Sequence, residues 1–151
     1  AAIGMHQLRR LGGFHARRRE VVERYREAFG GDERFVLPTE RPEARSAWHL
    51  YVMRFNLEAL SVSRDEIVEE LKRRNIGTSV HYRPLHMMSF YAKKYGYAPD
   101  DFPVALDAFR RMVSLPLNPR LSDADIADVV EAVRAAAERA PARPAPAFVP
   151  G

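Results

Sequence analysis

The stretch Gly77-Thr78-Ser79-Val80-His81-Tyr82-Arg83-Pro84-Leu85-His86 decides how this chain is read. It follows a helix that stops at Asn75-Ile76-Gly77, and it opens as a strand, Thr78 to about Tyr82, which Pro84 then turns out into a loop. Two histidines, a tyrosine and an arginine fall within six residues of one another. Polar and titratable side chains gathered where a strand becomes a loop usually face a ligand or a partner.

Working outward, the preceding helix starts at Ser63, with Glu66 three residues on as a capping box, and carries Ile67, Val68 and Leu71 inward. Before it, Trp48 to Phe55 alternates with apolar residues on both sides, which predicts a strand at least partly covered on each face. Residues 32–46, with Pro38 and Pro42 among charges, read as a loop. The chain opens with a long helix over 1–29, whose stripe is Leu8, Leu11, Phe14, Val21, Val22, Tyr25 and Phe29. Gly12-Gly13 interrupts that stripe and predicts a kink or a close contact; Gly30-Gly31 ends the helix as a C-cap.

Downstream, residues 84–102 form a long connection with a short helix over Ser89–Tyr95, too rich in Met, Phe and Tyr to be disordered. Pro103 sits as the first residue of a helix through about Arg111. Met112 to Leu117 reads as a short strand, and Ser122 with Asp125 starts a last helix buried through Ile126, Val129, Val130 and Val133. The Pro/Ala tail over 141–151 is expected to be disordered. The fold class is therefore α/β: a small, mostly antiparallel sheet with helices packed on one face, preceded by a long helix.

At 151 residues the chain fits one domain, taken as 1–140, and is long enough for a real core. Apolar residues make up 46% and charged residues 29%, a globular balance. The absence of cysteine excludes disulfides, thiolate zinc sites and a cysteine nucleophile. No signal peptide or bilayer-length apolar run is present, so no membrane partner is expected. The chain opens on Ala1 in helical sequence and reads as a piece of a longer protein. A net charge of +4 raises nucleic acid as a partner, but acids are interspersed, as in Arg19-Glu20, Glu23-Arg24 and Arg26-Glu27. Mixed signs at helical spacing mark a solvated face rather than a binding stripe, so no nucleic-acid partner is expected.

Six segments in order carry a family look: Ala1-Ala2-Ile3-Gly4-Met5-His6-Gln7-Leu8; Arg17-Arg18-Arg19-Glu20 followed by Tyr25; Trp48-His49-Leu50-Tyr51; Asn75 to His86; Tyr95-Gly96-Tyr97 with Phe102-Pro103; and Ser114-Leu115-Pro116-Leu117. From Ala1 to about Ala137 the chain resembles the C-terminal small domain of the DegT/DnrJ/EryC1/StrS family of sugar aminotransferases, enzymes built on pyridoxal 5'-phosphate (PLP) and fold type I. The resemblance implies a cytoplasmic homodimer that transfers an amino group from L-glutamate to a keto sugar of a nucleotide sugar, in polysaccharide or secondary-metabolite biosynthesis. It also implies that the Schiff-base lysine and the rest of the PLP site belong to an N-terminal large domain upstream of Ala1. Only Lys72, Lys93 and Lys94 are present here, all in solvent-type contexts, so the chain alone is expected to be inert and to bind no PLP covalently.

On that resemblance the candidate substrate-binding residues are His81, Tyr82, Arg83 and His86, with no catalytic residue in the chain. Each has a plainer reading. His81 and Tyr82 either hydrogen-bond sugar or phosphate oxygens or merely fix the loop. Arg83 either pairs with a diphosphate or is an exposed arginine. His86 reads more as a loop anchor than as a ligand contact. A zinc site from His81 and His86 lacks a third ligand at a recognisable spacing. Trp48, Tyr51 and Phe55 read as core, Ser114 as a strand end, and Arg17–Arg19 as a solvated helix face or else a dimer or interdomain salt bridge. Two other classes remain in view: a non-catalytic binding module on the same domain, and a basic nucleic-acid-binding domain.

Overall fold

The computed structural model describes residues 2–138. Helix α1 (Ala2–Phe29) leads into strand β1 (Phe35–Val36), strand β2 (Tyr51–Phe55) and helix α2 (Arg64–Arg73). A 3-10 turn (Leu85–Met87), helix α3 (Ser89–Tyr95) and a second 3-10 turn (Pro99–Asp101) make up the long connection. Helix α4 (Pro103–Arg111), strand β3 (Met112–Leu115) and helix α5 (Asp123–Glu138) complete the described chain. The sheet is antiparallel, in the order β1-β2-β3. The tail over 141–151 lies outside the described residues.

The core sits on one face of the sheet. Tyr51, Met53 and Phe55 of β2 point into it, in line with their partners Leu115 and Val113 of β3 and with Phe35 of β1. Val21, Val22, Tyr25 and Phe29 of α1 close over them, with Ile67 and Leu71 of α2 and Ile126, Val129, Val133 and Ala136 of α5. Alternation along β2 puts Val52 and Arg54 on the other face, where Arg54 is exposed, as the two-residue period of a strand requires.

Local signals form where the sequence places them. Ser63 and Glu66 close a capping box on α2, and Ser122 with Asp125 does the same before α5. Helix α2 ends in a Schellman arrangement: the Ile76 N–H donates to Leu71 O at 2.8 Å and Asn75 N–H to Lys72 O at 3.0 Å. Asn75 is left-handed there at φ 62°. At the end of α1, Gly31 is left-handed at φ 80°, and a Cβ on Gly30 would lie 2.6 Å from Arg26 O. Both glycines are therefore required. Gly12 and Gly13 lie inside an unbroken helix, and a Cβ at either would meet nothing within 4 Å, so steric exclusion of a side chain among the described residues does not explain them.

Four expectations are corrected. Residues 32–46 contain β1, which is too short to read from pattern and is held by Phe35 packing on Phe29 and Phe55. The strand expected from Trp48 begins at Tyr51, because Trp48 is left-handed at φ 46°. The strand expected over Thr78–Tyr82 is a single bridge, Ser79 to Ser114. The next hydrogen-bonded pairs would be Gly77 with Pro116 and His81 with Met112. Pro116 has no N–H to donate and the Met112 N–H is spent on Ala108 O at the end of α4, so each of those pairs is short of one ladder bond. Arg17 and Arg19, expected on a solvated face, are internal tethers. Arg17 donates to Leu121 O at 2.6 Å and to Asp123 at 2.9 Å, and Arg19 holds Glu40 and Ser46 O.

Arg24 also reaches Asp123, at 2.7 Å, and Arg134 returns from α5 to Ala28 O. The far half of α1 is thus clamped to the α5 side, and the near half is not. Leu8 is 68% and Ile3 81% exposed.

These tethers set an acid limit. Hydrogen bonds from Arg17 hold the Asp123 carboxyl below its ordinary range, Arg34 does so for Asp32, and Arg111 brings Glu58 down to about 2. A carboxyl lowered in the folded state contributes stability above its unfolded pKa and loses it as pH falls through the folded value. The urea midpoint should therefore hold from neutral to about pH 5 and fall steadily from about pH 4 to 2. Asp123→Asn should flatten part of that fall. A midpoint unchanged between those limits would contradict the assignment.

Candidate functional site

The site is the segment between α2 and α3, fixed at both ends. At its start, Ser79 and Ser114 exchange backbone hydrogen bonds, Ser114 N–H to Ser79 O at 2.7 Å and Ser79 N–H to Ser114 O at 3.3 Å. Two residues on, His81 Nδ1 lies 2.8 Å from Ser114 Oγ. Ser114 is buried in β3, in register with Val52 on the face away from the core. At its end, buried His86 donates through Nε2 to Pro99 O at 3.1 Å. The acceptor is a carbonyl, so the proton must be on that nitrogen.

Beneath His86 runs a line of rings. Phe102 lies 4.7 Å from it, Tyr97 packs edge-on to Phe102, and Tyr95 and Tyr91 continue the stack into α3. Helix α3 buries no residue fully, so these ring contacts are the main thing that ties it to the loop.

Between the two anchors the chain turns outward. The His81–Tyr82 peptide is cis. Tyr82 is 70% exposed, its ring edge-on to His81 at 4.8 Å, and Arg83 is exposed. The four sequence candidates therefore separate by environment. Tyr82 and Arg83 face solvent, His81 is half-buried against Ser114, and His86 is turned into the loop. Ser114, read from sequence as a strand end, is the residue that joins His81 to the sheet. Its one visible signal was a lone hydroxyl between Val113 and Leu115 in a strand of apolar neighbours.

Phenols in the adjoining core are kept protonated: burial pushes Tyr51 up to about 12 and raises Tyr25 as well. The three lysines, Lys72, Lys93 and Lys94, are all exposed. A lysine that forms a Schiff base with PLP needs a desolvated or charge-depressed amine, and none of these three is buried here. Among the described residues, no His, Asp and Glu gather as a metal site, and no helix is long and apolar enough to cross a membrane.

The fold as a whole, a three-stranded antiparallel sheet with a long leading helix, is similar to that of solved aminotransferases. DesV of S. venezuelae, solved with a ketimine intermediate, is 31% identical at a TM-score of 0.80, over 91% of this chain and 36% of that one. Spr1654 of Streptococcus pneumoniae, assigned as a sugar aminotransferase and solved in a PLP-form, is 32% identical at 0.79, over 89% of this chain and 34% of that one. In sequence, the spore coat polysaccharide biosynthesis protein SpsC of Bacillus subtilis is 44% identical over 135 residues, which is 89% of this chain and 35% of SpsC. The DegT/DnrJ/EryC1/StrS aminotransferase family profile matches residues 1–134. The chain belongs to that family. It spans about a third of the length of the curated relatives it matches.

Proposed function

We propose that this chain is the small domain of a PLP-dependent aminotransferase that moves an amino group from L-glutamate to a keto sugar carried on a nucleotide. The intact enzyme is a cytoplasmic homodimer whose large domain supplies the Schiff-base lysine and most of the PLP site. The chain alone is inert. PLP supplies the electron sink for amino-group transfer in that enzyme. The chain's own part is to bind and orient substrate. Tyr82 and His81 offer hydrogen bonds to sugar or phosphate oxygens, and the Arg83 guanidinium suits a diphosphate. His86 serves through the loop it anchors. The likeness to SpsC favours a product destined for polysaccharide.

The observation that carries this reading is the loop itself. It is pinned to β3 through Ser114 and to the 3-10 turn through Pro99 O, while Tyr82 and Arg83 stay exposed. Binding side chains on a rigidly held loop are what a substrate wall requires. The uncovered half of α1 and the apolar residues of the connection, Leu85 and Phe90 among them, are the surface on which the large domain packs. That same surface also suits a non-catalytic interaction module, which is the second reading.

The test uses the enzyme in which this chain is joined to its large domain. His81→Ala should slow amination of the keto sugar by about tenfold or more, the worth of one hydrogen bond to a charged group. The glutamate half-reaction should stay within about twofold. Equal loss in the two half-reactions would assign His81 a structural role. No transamination by the wild-type enzyme would favour the interaction module.

A further inference from the structure

We propose that Ser114 is a positioning residue for His81, holding the neutral imidazole in the tautomer that carries its proton on Nε2. The free edge of the ring then offers an N–H, which selects an oxygen acceptor, a phosphate, carbonyl or hydroxyl oxygen, on the bound nucleotide sugar. The proposal rests on the reading of His81 as a ligand-facing residue.

It follows from where the serine's hydrogen-bonding groups go. The backbone N–H and C=O of Ser114 are both spent on Ser79. The side chain is buried, and among the described residues its hydroxyl meets His81 Nδ1 at 2.8 Å. A buried hydroxyl that finds one acceptor donates to it rather than leave its proton unpaired. Nδ1 is therefore the acceptor, and the proton of the neutral ring sits on Nε2. The second atom of a histidine is commonly set in this way by the bond its first atom makes. The pairing joins residues 33 apart in sequence and depends on the Ser79–Ser114 bridge, which fixes how close the loop comes to β3.

The ¹⁵N-labelled chain, with five histidines, allows a direct reading by long-range proton–nitrogen correlation at about pH 8, where ordinary imidazoles are neutral. His81 should show the Nε2–H pattern. In Ser114→Ala that pattern should shift to a mixture of tautomers, and Ser114→Thr, which keeps the hydroxyl, should restore it. In the enzyme with its large domain, Ser114→Ala should raise KM for the keto sugar by about tenfold and leave the glutamate half-reaction unchanged. An Nδ1–H pattern in the wild-type chain, or a tautomer unmoved in Ser114→Ala, would overturn the coupling to Ser114. A shifted tautomer with unchanged KM would instead overturn the ligand-facing reading beneath it. If Ser114→Ala does not fold, the wild-type pattern and the Thr variant decide the first question.

Discussion

Tyr25→Ala is expected to remove most of the stability of the domain. Tyr25 lies at the point where α1, β2 and the segment after β3 meet. It is fully buried, its ring 5.0 Å from Tyr51 and 6.0 Å from Phe29, and its hydroxyl donates to Pro116 O at 2.8 Å. Burial, with Tyr51 adding to it, raises its phenol well above the ordinary range, so the group remains a donor at any physiological pH. Truncation to alanine loses the ring contacts and leaves a cavity, about 3–5 kcal/mol for a buried aromatic. It also leaves the Pro116 carbonyl without a donor, a further cost of about 1–3 kcal/mol where water cannot reach it. Against a total of about 5–15 kcal/mol for a domain, that is most of the margin. Urea unfolding should show a midpoint near zero denaturant for Tyr25→Ala. Tyr25→Phe, which keeps the ring, should lose only about 1–2 kcal/mol. A midpoint for the alanine variant close to wild type would mean that α1 is not part of the folding unit.

That α1 belongs to the core was legible from sequence. So was the expectation that a helix this long, read as an interdomain helix over 1–29, need not pack wholly on the sheet. The residue at which its burial begins was not legible. The stripe from Leu8 to Phe29 has one period throughout, yet only the half from Val21 on is buried here. A periodic stripe states that a helix face is apolar; it does not state what covers it. The same division runs through the rest of the chain. Ser63 with Glu66, Ser122 with Asp125, Pro103 and Gly30-Gly31 were readable because each acts within a few residues of itself. Strand β1, the single-bridge nature of Ser79, the inward turn of Arg17 and the bond from Ser114 to His81 all depend on partners distant in sequence. At the site, the segment from Gly77 to His86 stood out by its side-chain chemistry. His86 already read as a loop anchor, as its bond to Pro99 O bears out; that His81 is held as well was set by Ser114, whose only local signal is a lone hydroxyl between apolar neighbours.

Arg64 is the clearest case of a residue whose importance only the fold reveals, and its loss should have the second-largest effect. It is the first residue of α2, an ordinary place for an exposed charge, yet it is only 9% exposed. Its guanidinium donates to Phe109 O at 3.3 Å and Met112 O at 3.2 Å, lies 5.2 Å from the Phe109 ring and pairs with Asp65. Phe109 is in the last turn of α4, whose carbonyls have no intrahelical partner and sit at the negative end of the helix dipole. A cation that bonds those carbonyls caps α4 where the chain turns directly into β3. Arg64→Ala should cost about 2–4 kcal/mol, since two part-buried carbonyls lose a charged donor and the ring loses its cation. Arg64→Lys, with one point donor in place of a fork, should recover about half of it. The damage should also reach the site. Met112 begins β3, and Ser114 two residues on holds His81, so a frayed α4 end loosens the strand to which the loop is tied. Amide exchange in Arg64→Ala should accelerate at Ser79 and Ser114 more than at Val129 or Val133 in α5. Uniform acceleration would show a global loss of stability alone. Unchanged exchange at Ser79 would separate the α4 cap from the substrate loop.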